Sequence, residues 1–289
     1  MPSFERGLFN KRNIFLGIII FFIILTLVVV YLLSTDDYTD SKFRTMQDTI
    51  PSAESVNLTG LRELSASGGP IVDFPTLKKK LAFVNKPIVI VDGMKEHHGY
   101  IKDIPITFFG YHRDNPDSRY FIRRIFYTGT PYLKPELIVQ ERELAKKYGF
   151  EYTNIKIDSK LRTPDAAVDE FVSYFDNAPP HAWFHFHCRH GKGRTSLALV
   201  MFDIMHNAPQ VALEDIVRRQ YLLGSINLSD TAVWRKNSTY PSRALERRKK
   251  FVQDFYAFIC QRKAGGIQVW SEWRRQQNDK ASYLDKTTK

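Results

Sequence analysis

The longest apolar stretch of the chain runs from residue 14 to residue 33 and contains no charged side chain. As a helix rising about 1.5 Å per residue, it would extend over about 30 Å, the thickness of the hydrocarbon core of a bilayer. A cleavable signal peptide has a shorter apolar region of about 7–15 residues and a small-x-small cleavage site. The following YLLSTDDYTD has no such site. We therefore predict an uncleaved transmembrane helix at 14–33, with a cleaved and secreted form as the alternative.

Charges on the two sides of this stretch differ in sign. Basic residues precede it and acidic residues follow it: Arg6, Lys11 and Arg12, then Asp36, Asp37 and Asp40. The positive-inside rule then predicts a cytoplasmic segment at residues 1–13, a linker at 34–42 and a folded domain at 43–289 outside the cytoplasm. The expected localisation is a single-pass membrane protein with its N-terminus in the cytoplasm.

Beyond the linker, strand-like runs alternate with segments of helical periodicity. The runs IVIVD at 88–92, FEYTNIKID at 150–158 and AWFHFH at 182–187 predict strands. Helices are predicted after Pro135 as far as Gly149, from Thr163-Pro164-Asp165 onward, over 194–205 and over 244–263. This alternation predicts an α/β fold with a sheet flanked by helices.

The composition of the chain indicates the kind of partner it binds and excludes two classes of cysteine-rich fold. The 289 residues include 42 basic and 31 acidic side chains, a formal charge of +11, so anionic partners are expected. The two cysteines, Cys188 and Cys260, are too few for a disulfide framework or a zinc ribbon. Cys260 is predicted to be a small buried residue on the helix at 244–263.

The segment HCRHGKGRT at 187–195 carries the chemistry, between a predicted strand and a predicted helix. A glycine-containing turn that enters a helix presents N–H groups and the positive end of the helix dipole to an anion. Arg194 adds a bidentate fork for a phosphoryl group. In that field and beside His187, Cys188 is predicted to ionise easily and to act as a nucleophile. Thr195 is expected to donate to its sulfur, the alternative being an ordinary hydroxyl at a helix start.

This segment matches HC-x2-G-x2-R-[ST], the signature of the cysteine-dependent C-x5-R phosphatases. Their reaction also needs a general acid for the leaving alkoxide. Asp158, at the end of the predicted strand, is the candidate, and a turn aspartate is the alternative. A phosphate-binding module without turnover remains a further alternative. Neither a metal nor another cofactor is expected.

From about residue 43 to 273 the chain resembles the bacterial phytases of the protein-tyrosine-phosphatase type, which are inositol polyphosphate phosphatases. The matching segments are FRT, LSASGG, VDGMKEHHGYIKDIPITFFG, a Thr-Pro helix start, HAWFHFHC-x5-RT, RRQYLLG and W-x2-W. The resemblance implies a phosphatase core with a central mixed sheet, flanked by helices, and a small accessory β subdomain. It implies Cys188 as nucleophile, Arg194 as phosphate clamp and Asp158 as general acid. Met94 stands where the family usually has arginine, and Lys95 is the expected substitute.

The charges of the loop favour a polyanionic substrate. Beyond Arg194, the loop adds up to three cationic groups, and each can meet a neighbouring phosphate of an inositol polyphosphate. The predicted substrate-binding residues, some of them implied only by the resemblance, are Arg189, His190, Gly191, Lys192, Gly193, Lys95, His98 and Gln220.

Other readings of these charges stay open. The loop bases are alternatively solvated surface charges. Basic residues at the same loop positions also resemble the 3-phosphoinositide lipid phosphatases, so a phosphoinositide or a phosphotyrosine is the alternative substrate. No nucleic acid partner is expected, because RRKK at 247–250 is predicted to be a solvated helix face.

Overall fold

The computed structural model describes residues 11–34, 43–51, 55–96, 98–101, 103–107, 129, 137–158, 163–233 and 241–287. The chain divides into two compact units, Met1–Asp37 with Phe108–Ile138, and Tyr38–Thr107 with Val139–Lys289. In the first unit the main described element is helix α1, Lys11–Ser34. Its segment Lys11–Val30 has a mean hydropathy of 3.0 and none of it is buried, so it is long and apolar enough to cross a membrane, as a signal sequence would be.

The second unit contains the sheet. Its elements follow α1 in chain order as β1 (Arg44–Thr45), β2 (Ala66–Pro70), α2 (Phe74–Lys80), β3 (Ile88–Asp92), β4 (His98–Ile101), β5 (Ile104–Thr107), α3 (Glu141–Lys147), β6 (Glu151–Asn154), α4 (Asp165–Asp176), β7 (Trp183–Cys188), α5 (Gly193–Asn207), α6 (Leu213–Leu222), α7 (Ser242–Lys263) and α8 (Trp270–Thr287).

Five strands form one mixed sheet in the order β1-β2-β7-β3-β6. Strand β7 is central and parallel to β2 and β3, β6 is parallel to β3, and β1 is antiparallel to β2. In this register Cys188 lies beside Pro70, and His187 lies beside Asp92. The carboxyl ends of the parallel strands therefore meet at one edge, where α/β proteins bind their ligands. The predicted α/β fold with a central mixed sheet is confirmed.

Helices cover both faces of the sheet. The smaller layer includes Phe74 of α2 and Leu144 of α3, which pack near Ile90. The larger layer is built around α5, which is buried from Thr195 to Ile204 and shares one hydrophobic core with residues of α4, α6, α7 and α8. Successive residues of β3 point to opposite layers, as the period of two for a strand requires. A strand buried on both faces explains why β3 reads as a continuous apolar run.

Two predicted elements differ from the structure. The helix expected directly after Pro135 begins at Glu141, because Val139 pairs with Tyr100 through two main-chain hydrogen bonds of 2.9 Å and is extended. The strand expected over 150–158 spans Glu151–Asn154 alone. Strands β4 and β5 form a separate two-stranded antiparallel sheet. Residues 108–128, which follow it, lie outside the described residues, so the accessory β subdomain stays a prediction.

Candidate active site

The loop between β7 and α5 requires glycine at position 191. Gly191 has φ +63°, a conformation in which other residues are strained. A Cβ atom there would lie 2.5 Å from the main chain of Gly69 and Pro70 on the neighbouring strand β2. The loop therefore turns tightly against β2 and enters α5 at Gly193, so the amides of the first turn of α5 border the loop.

A second fixed point of the loop is Arg44, which sequence analysis did not single out beyond its place in the FRT match. Its Nη1 donates to the Gly191 carbonyl at 2.9 Å, and its Nη2 and Nε donate to the hydroxyls of Ser196 and Ser225 at 3.1 and 3.0 Å. Burial lowers the pKa of Arg44 to about 10, against the opposing charge of Cys188. Arg44 stays protonated at neutral pH and adds a cation behind the loop.

Cys188 lies at the end of β7 and is 3% exposed. Burial by itself disfavours a thiolate, but the charge of Arg194 and hydrogen bonds from Thr195 and His190 outweigh it and hold the pKa of Cys188 below its usual value. The Thr195 hydroxyl lies 3.1 Å from the sulfur, as expected. The geometry is that of an activated nucleophile facing an anion-binding turn.

The guanidinium of Arg194 is held by Glu96. Both terminal nitrogens of Arg194 donate to the two carboxylate oxygens, with Nη2 2.6 Å from Oε1. Burial would raise the pKa of Glu96, but its pairing with Arg194 outweighs this and keeps the pKa below the ordinary value. A bidentate pair fixes the plane of the guanidinium, so Glu96 orients the clamp.

Asp158, the predicted general acid, follows β6 at the same edge of the sheet. Its Oδ2 accepts a hydrogen bond of 3.0 Å from Nζ of Lys95, which was predicted to contact the substrate. The Thr163 hydroxyl donates to the main-chain oxygen of Asp158 at 3.0 Å. The carboxylate is 17% exposed and the lysine 37%, so both still reach solvent at the site. Adjacent residues, Lys95 and Glu96, thus contact the predicted general acid and the predicted phosphate clamp.

The family model of the protein-tyrosine-phosphatase-like phytases, described as "Inositol hexakisphosphate", matches residues 109–206, which include the whole cysteine loop. The phytase from Bdellovibrio bacteriovorus, of the same type, is 28% identical, with a TM-score of 0.58 over 73% of this chain and 86% of that one. This part of the chain therefore matches the protein-tyrosine-phosphatase-like phytases.

Two other relatives are similar to most of this chain. The inositol phosphatase of Mitsuokella multacida, solved with myo-inositol-(1,3,4,5)-tetrakisphosphate, shares the fold at a TM-score of 0.66 and 23% identity. The alignment covers 81% of this chain and 46% of that one. "Effector protein hopD2" of Pseudomonas syringae pv. tomato is 24% identical over 81% of this chain and 56% of its own length. The chain therefore spans about half the length of these two relatives.

His98, predicted from the family turn to bind substrate, lies inside the protein. Its Nε2 is 2.8 Å from Glu141 Oε2 and 3.2 Å from Asp92 Oδ2, and its Nδ1 is 2.8 Å from the Glu96 carbonyl oxygen. His187 also faces this group, with Nε2 3.2 Å from Glu141 Oε1. The sequence did not predict a role for Asp92 or Glu141. In the sequence, Glu141 looks like an ordinary acidic residue in the first turn of a helix. We call Asp92, His98, Glu141 and His187 the buried charge cluster.

The donors of Asp92, His98 and Glu141 lie within 4.8 Å of one another, close enough to hold a metal ion. The carboxylates, however, already accept hydrogen bonds from the protein. Tyr152 donates to Asp92 at 2.8 Å, and Tyr100 donates to Glu141 at 3.2 Å. With both histidines protonated the cluster is balanced in charge, so protons suffice to explain it.

The remaining predicted substrate ligands differ in exposure. Lys192 is exposed and His190 partly so, whereas Arg189 is 5% exposed. Gln220 is fully buried, and its amide donates to Asp203 at 2.9 Å and contacts the sulfur of Met46 at 3.2 Å. The placement of Gln220 in the core between α5 and α6 does not support direct contact with a substrate.

Proposed function

We propose that this chain is a phosphomonoester hydrolase that removes phosphates from inositol polyphosphates through a phosphocysteine intermediate. The observation that carries the proposal is the meeting of a thiol of lowered pKa, Cys188, with Arg194 and Thr195 at the carboxyl end of β7. The match of residues 109–206 to the phytase family model supports the substrate class.

In the first step the Cys188 thiolate attacks phosphorus. The bond between phosphorus and the oxygen of the inositol ring breaks, and the inositol leaves as an alkoxide. Arg194, oriented by Glu96, and the loop amides neutralise the charge on the phosphoryl oxygens. Asp158 gives its proton to the departing alkoxide. An alkoxide is a poor leaving group, so this proton matters most for alkyl phosphates.

In the second step water attacks the phosphocysteine and the S–P bond breaks. The Asp158 carboxylate takes a proton from the water, and inorganic phosphate is released. The departing sulfur regains the stabilisation that lowered the pKa of Cys188, including the hydrogen bond from Thr195. The same contacts therefore serve attack and departure.

The charges near the loop support the proposed substrate class. Besides Arg194, the loop carries Lys192, which is exposed, and His190, which is partly exposed, so both can meet phosphates other than the one being cleaved. The Mitsuokella relative that was solved with an inositol tetrakisphosphate supports an anionic, multiply phosphorylated substrate. A phosphotyrosine side chain has a single phosphate and would gain little from these bases.

The decisive assay compares kcat/KM for inositol hexakisphosphate, a phosphotyrosine peptide and p-nitrophenyl phosphate. We expect inositol hexakisphosphate to be the best substrate. Lys192→Ala should lower its kcat/KM by about 10–100-fold, because one charge-assisted contact is worth about 1.5–3 kcal/mol, and should leave p-nitrophenyl phosphate nearly unchanged. Lys249→Ala, an exposed lysine on α7, is the matched control.

The outcomes separate the alternatives. A preference for the phosphotyrosine peptide would assign the chain to the protein phosphatases. Failure to hydrolyse any of the three would favour the phosphate-binding module. Adding Arg189→Ala tests the second loop base, but because Arg189 is buried the double variant must first be shown to fold.

We also propose that α1 anchors the protein as a single transmembrane helix with the phosphatase domain outside the cytoplasm. Its apolar length and the basic residues before it support the proposal. Full-length protein should stay with membranes after alkaline carbonate extraction, and its phosphatase domain should be accessible to protease from the extracytoplasmic side. Recovery of a shortened, soluble chain would show cleavage instead.

A further inference from the structure

One short turn between β3 and β4 carries the contacts to two of the groups that perform the chemistry. Lys95 donates to Asp158 at 3.0 Å, and Glu96 pairs with both terminal nitrogens of Arg194. A displacement of this turn would therefore move the acid and the clamp together. Misplacement of reacting groups by about 1 Å costs on the order of a hundredfold in rate.

The side chain of His98 connects this turn to the buried charge cluster. Its Nδ1 lies 2.8 Å from the carbonyl oxygen of Glu96, which can only accept, so Nδ1 carries a proton. Its Nε2 lies 2.8 Å from Glu141 and 3.2 Å from Asp92. Facing two carboxylates, Nε2 also carries a proton, so the imidazole bridges the turn and the cluster as a double donor.

The charges around His98 agree with this. Burial lowers the pKa of His98, but hydrogen bonds to Asp92 and Glu141 and their charges outweigh burial and raise the pKa to about 11. His187 is the other imidazole that faces these carboxylates; burial lowers its pKa, but Glu141 and Asp92 outweigh burial and raise it. The carboxylates of Asp92 on β3 and Glu141 on α3 therefore face two imidazoles, those of His98 and of His187 on β7.

The far ends of the bridge are rigidly held. Tyr100 of β4 and Tyr152 of β6 donate to Glu141 and Asp92, at 3.2 and 2.8 Å. Asn154 donates to Asp92 at 2.6 Å and to the main-chain oxygen of Met94 at 3.2 Å. The turn is therefore attached at Met94 and at Glu96 to side chains that are themselves hydrogen-bonded within the protein.

We infer that His98 is a positioning residue that fixes the Lys95–Glu96 turn, so that Glu96 orients Arg194 and Lys95 orients Asp158. This inference rests on the proposed phosphatase function and assigns His98 a role other than substrate binding. The side chain of His98 is 10% exposed, and both ring nitrogens are used inside the protein. A substrate phosphate would have to break one of these contacts to reach it.

The test is a double-mutant cycle between His98→Gln and Glu96→Gln, measured as kcat/KM on p-nitrophenyl phosphate. This substrate reports on the clamp whatever the natural substrate is. Alone, His98→Gln should lower kcat/KM by about 10–100-fold. In the Glu96→Gln background it should have little further effect, because the group through which it acts is already gone.

His206→Gln is the matched control. The Nδ1 of His206 likewise lies 2.8 Å from a main-chain carbonyl, that of Phe202, but the residue is in the last turn of α5 and outside the catalytic site. It should leave kcat/KM unchanged. His98→Asn is the second variant and replaces His98→Gln in the cycle if the latter does not fold by circular dichroism.

The contact between Lys95 and Asp158 is tested by comparing the losses of activity on two substrates. If Lys95 orients Asp158 through the same turn, His98→Gln should slow glycerol phosphate more than p-nitrophenyl phosphate, because only the former needs the proton. Equal losses for His98→Gln in the wild-type and Glu96→Gln backgrounds would overturn the inference, as would a higher KM for inositol hexakisphosphate at unchanged kcat. A wild-type protein without phosphatase activity would instead overturn the proposed function.

Discussion

The hydroxyl of Thr195 offers a quantitative test of how the thiolate is stabilised. It has one hydrogen and two acceptors within reach, the sulfur of Cys188 at 3.1 Å and the carbonyl oxygen of Gly69 at 3.3 Å. When the sulfur is ionised, its charge attracts the hydrogen more strongly than the carbonyl does. Thr195→Val removes this bond and keeps a side chain of nearly the same shape.

The expected size follows from the strength of a hydrogen bond to a charged group, about 1.5–3 kcal/mol. One pKa unit corresponds to about 1.4 kcal/mol, so the pKa of Cys188 should rise by about 1–2 units. In the proposed mechanism the thiolate is also the leaving group of the second step, so breakdown of the phosphocysteine should slow by about 10–100-fold.

Two measurements check this. The rate of Cys188 alkylation by iodoacetamide as a function of pH gives the pKa of the thiol, and rapid quenching gives the amount of phosphocysteine. Thr195→Ser is the control, because it keeps the hydroxyl and loses the methyl group that packs close to Gly68. If valine and serine shift the alkylation profile equally, the methyl group and not the hydrogen bond sets the pKa, and the reasoning is refuted.

Four further predictions follow from the same structure. Asp158→Asn should slow alkyl phosphates by about 10²–10⁴-fold and p-nitrophenyl phosphate far less, and equal losses would assign Asp158 a structural role. Gly191→Ala should lower the melting temperature measured by calorimetry and abolish most activity, because its Cβ would lie 2.5 Å from the main chain of β2. The pKa of His98 is raised to about 11, so its contribution to stability is full below about pH 6.5 and is lost as pH rises towards 11; urea midpoints should show this loss in the wild type and not in His98→Gln. EDTA should leave turnover unchanged. A loss of turnover in EDTA would indicate a metal-dependent mechanism.

The geometry of the loop could be predicted from the sequence because its parts are contiguous. The residues from His187 to Thr195 form a strand end, a turn and a helix start, and local rules for glycine and helix dipoles apply to each. The predicted bond between Thr195 and Cys188 joins residues seven positions apart. Such short separations leave little freedom, so the pattern was sufficient to predict the geometry.

The supporting contacts could not be predicted in this way. Arg44 reaches Gly191 over 147 positions, Glu96 reaches Arg194 over 98, and Lys95 meets Asp158 over 63. No local periodicity encodes such pairs, because they depend on which strands become neighbours in the sheet. The helix expected after Pro135 failed for the same reason, since a long-range bridge between Tyr100 and Val139 outweighs local helical preference.

The sequence alone determined the class of fold and the tight turn between β7 and α5, and it indicated the proposed nucleophile, Cys188. The tertiary structure decided how the charged residues are used. It placed His98 and Gln220 inside the protein and left Lys192 exposed beside the site, although all three are polar and were predicted to bind substrate. Burial depends on how the layers pack on the sheet, and it is burial that separates a residue that holds the site in place from one that can meet the substrate.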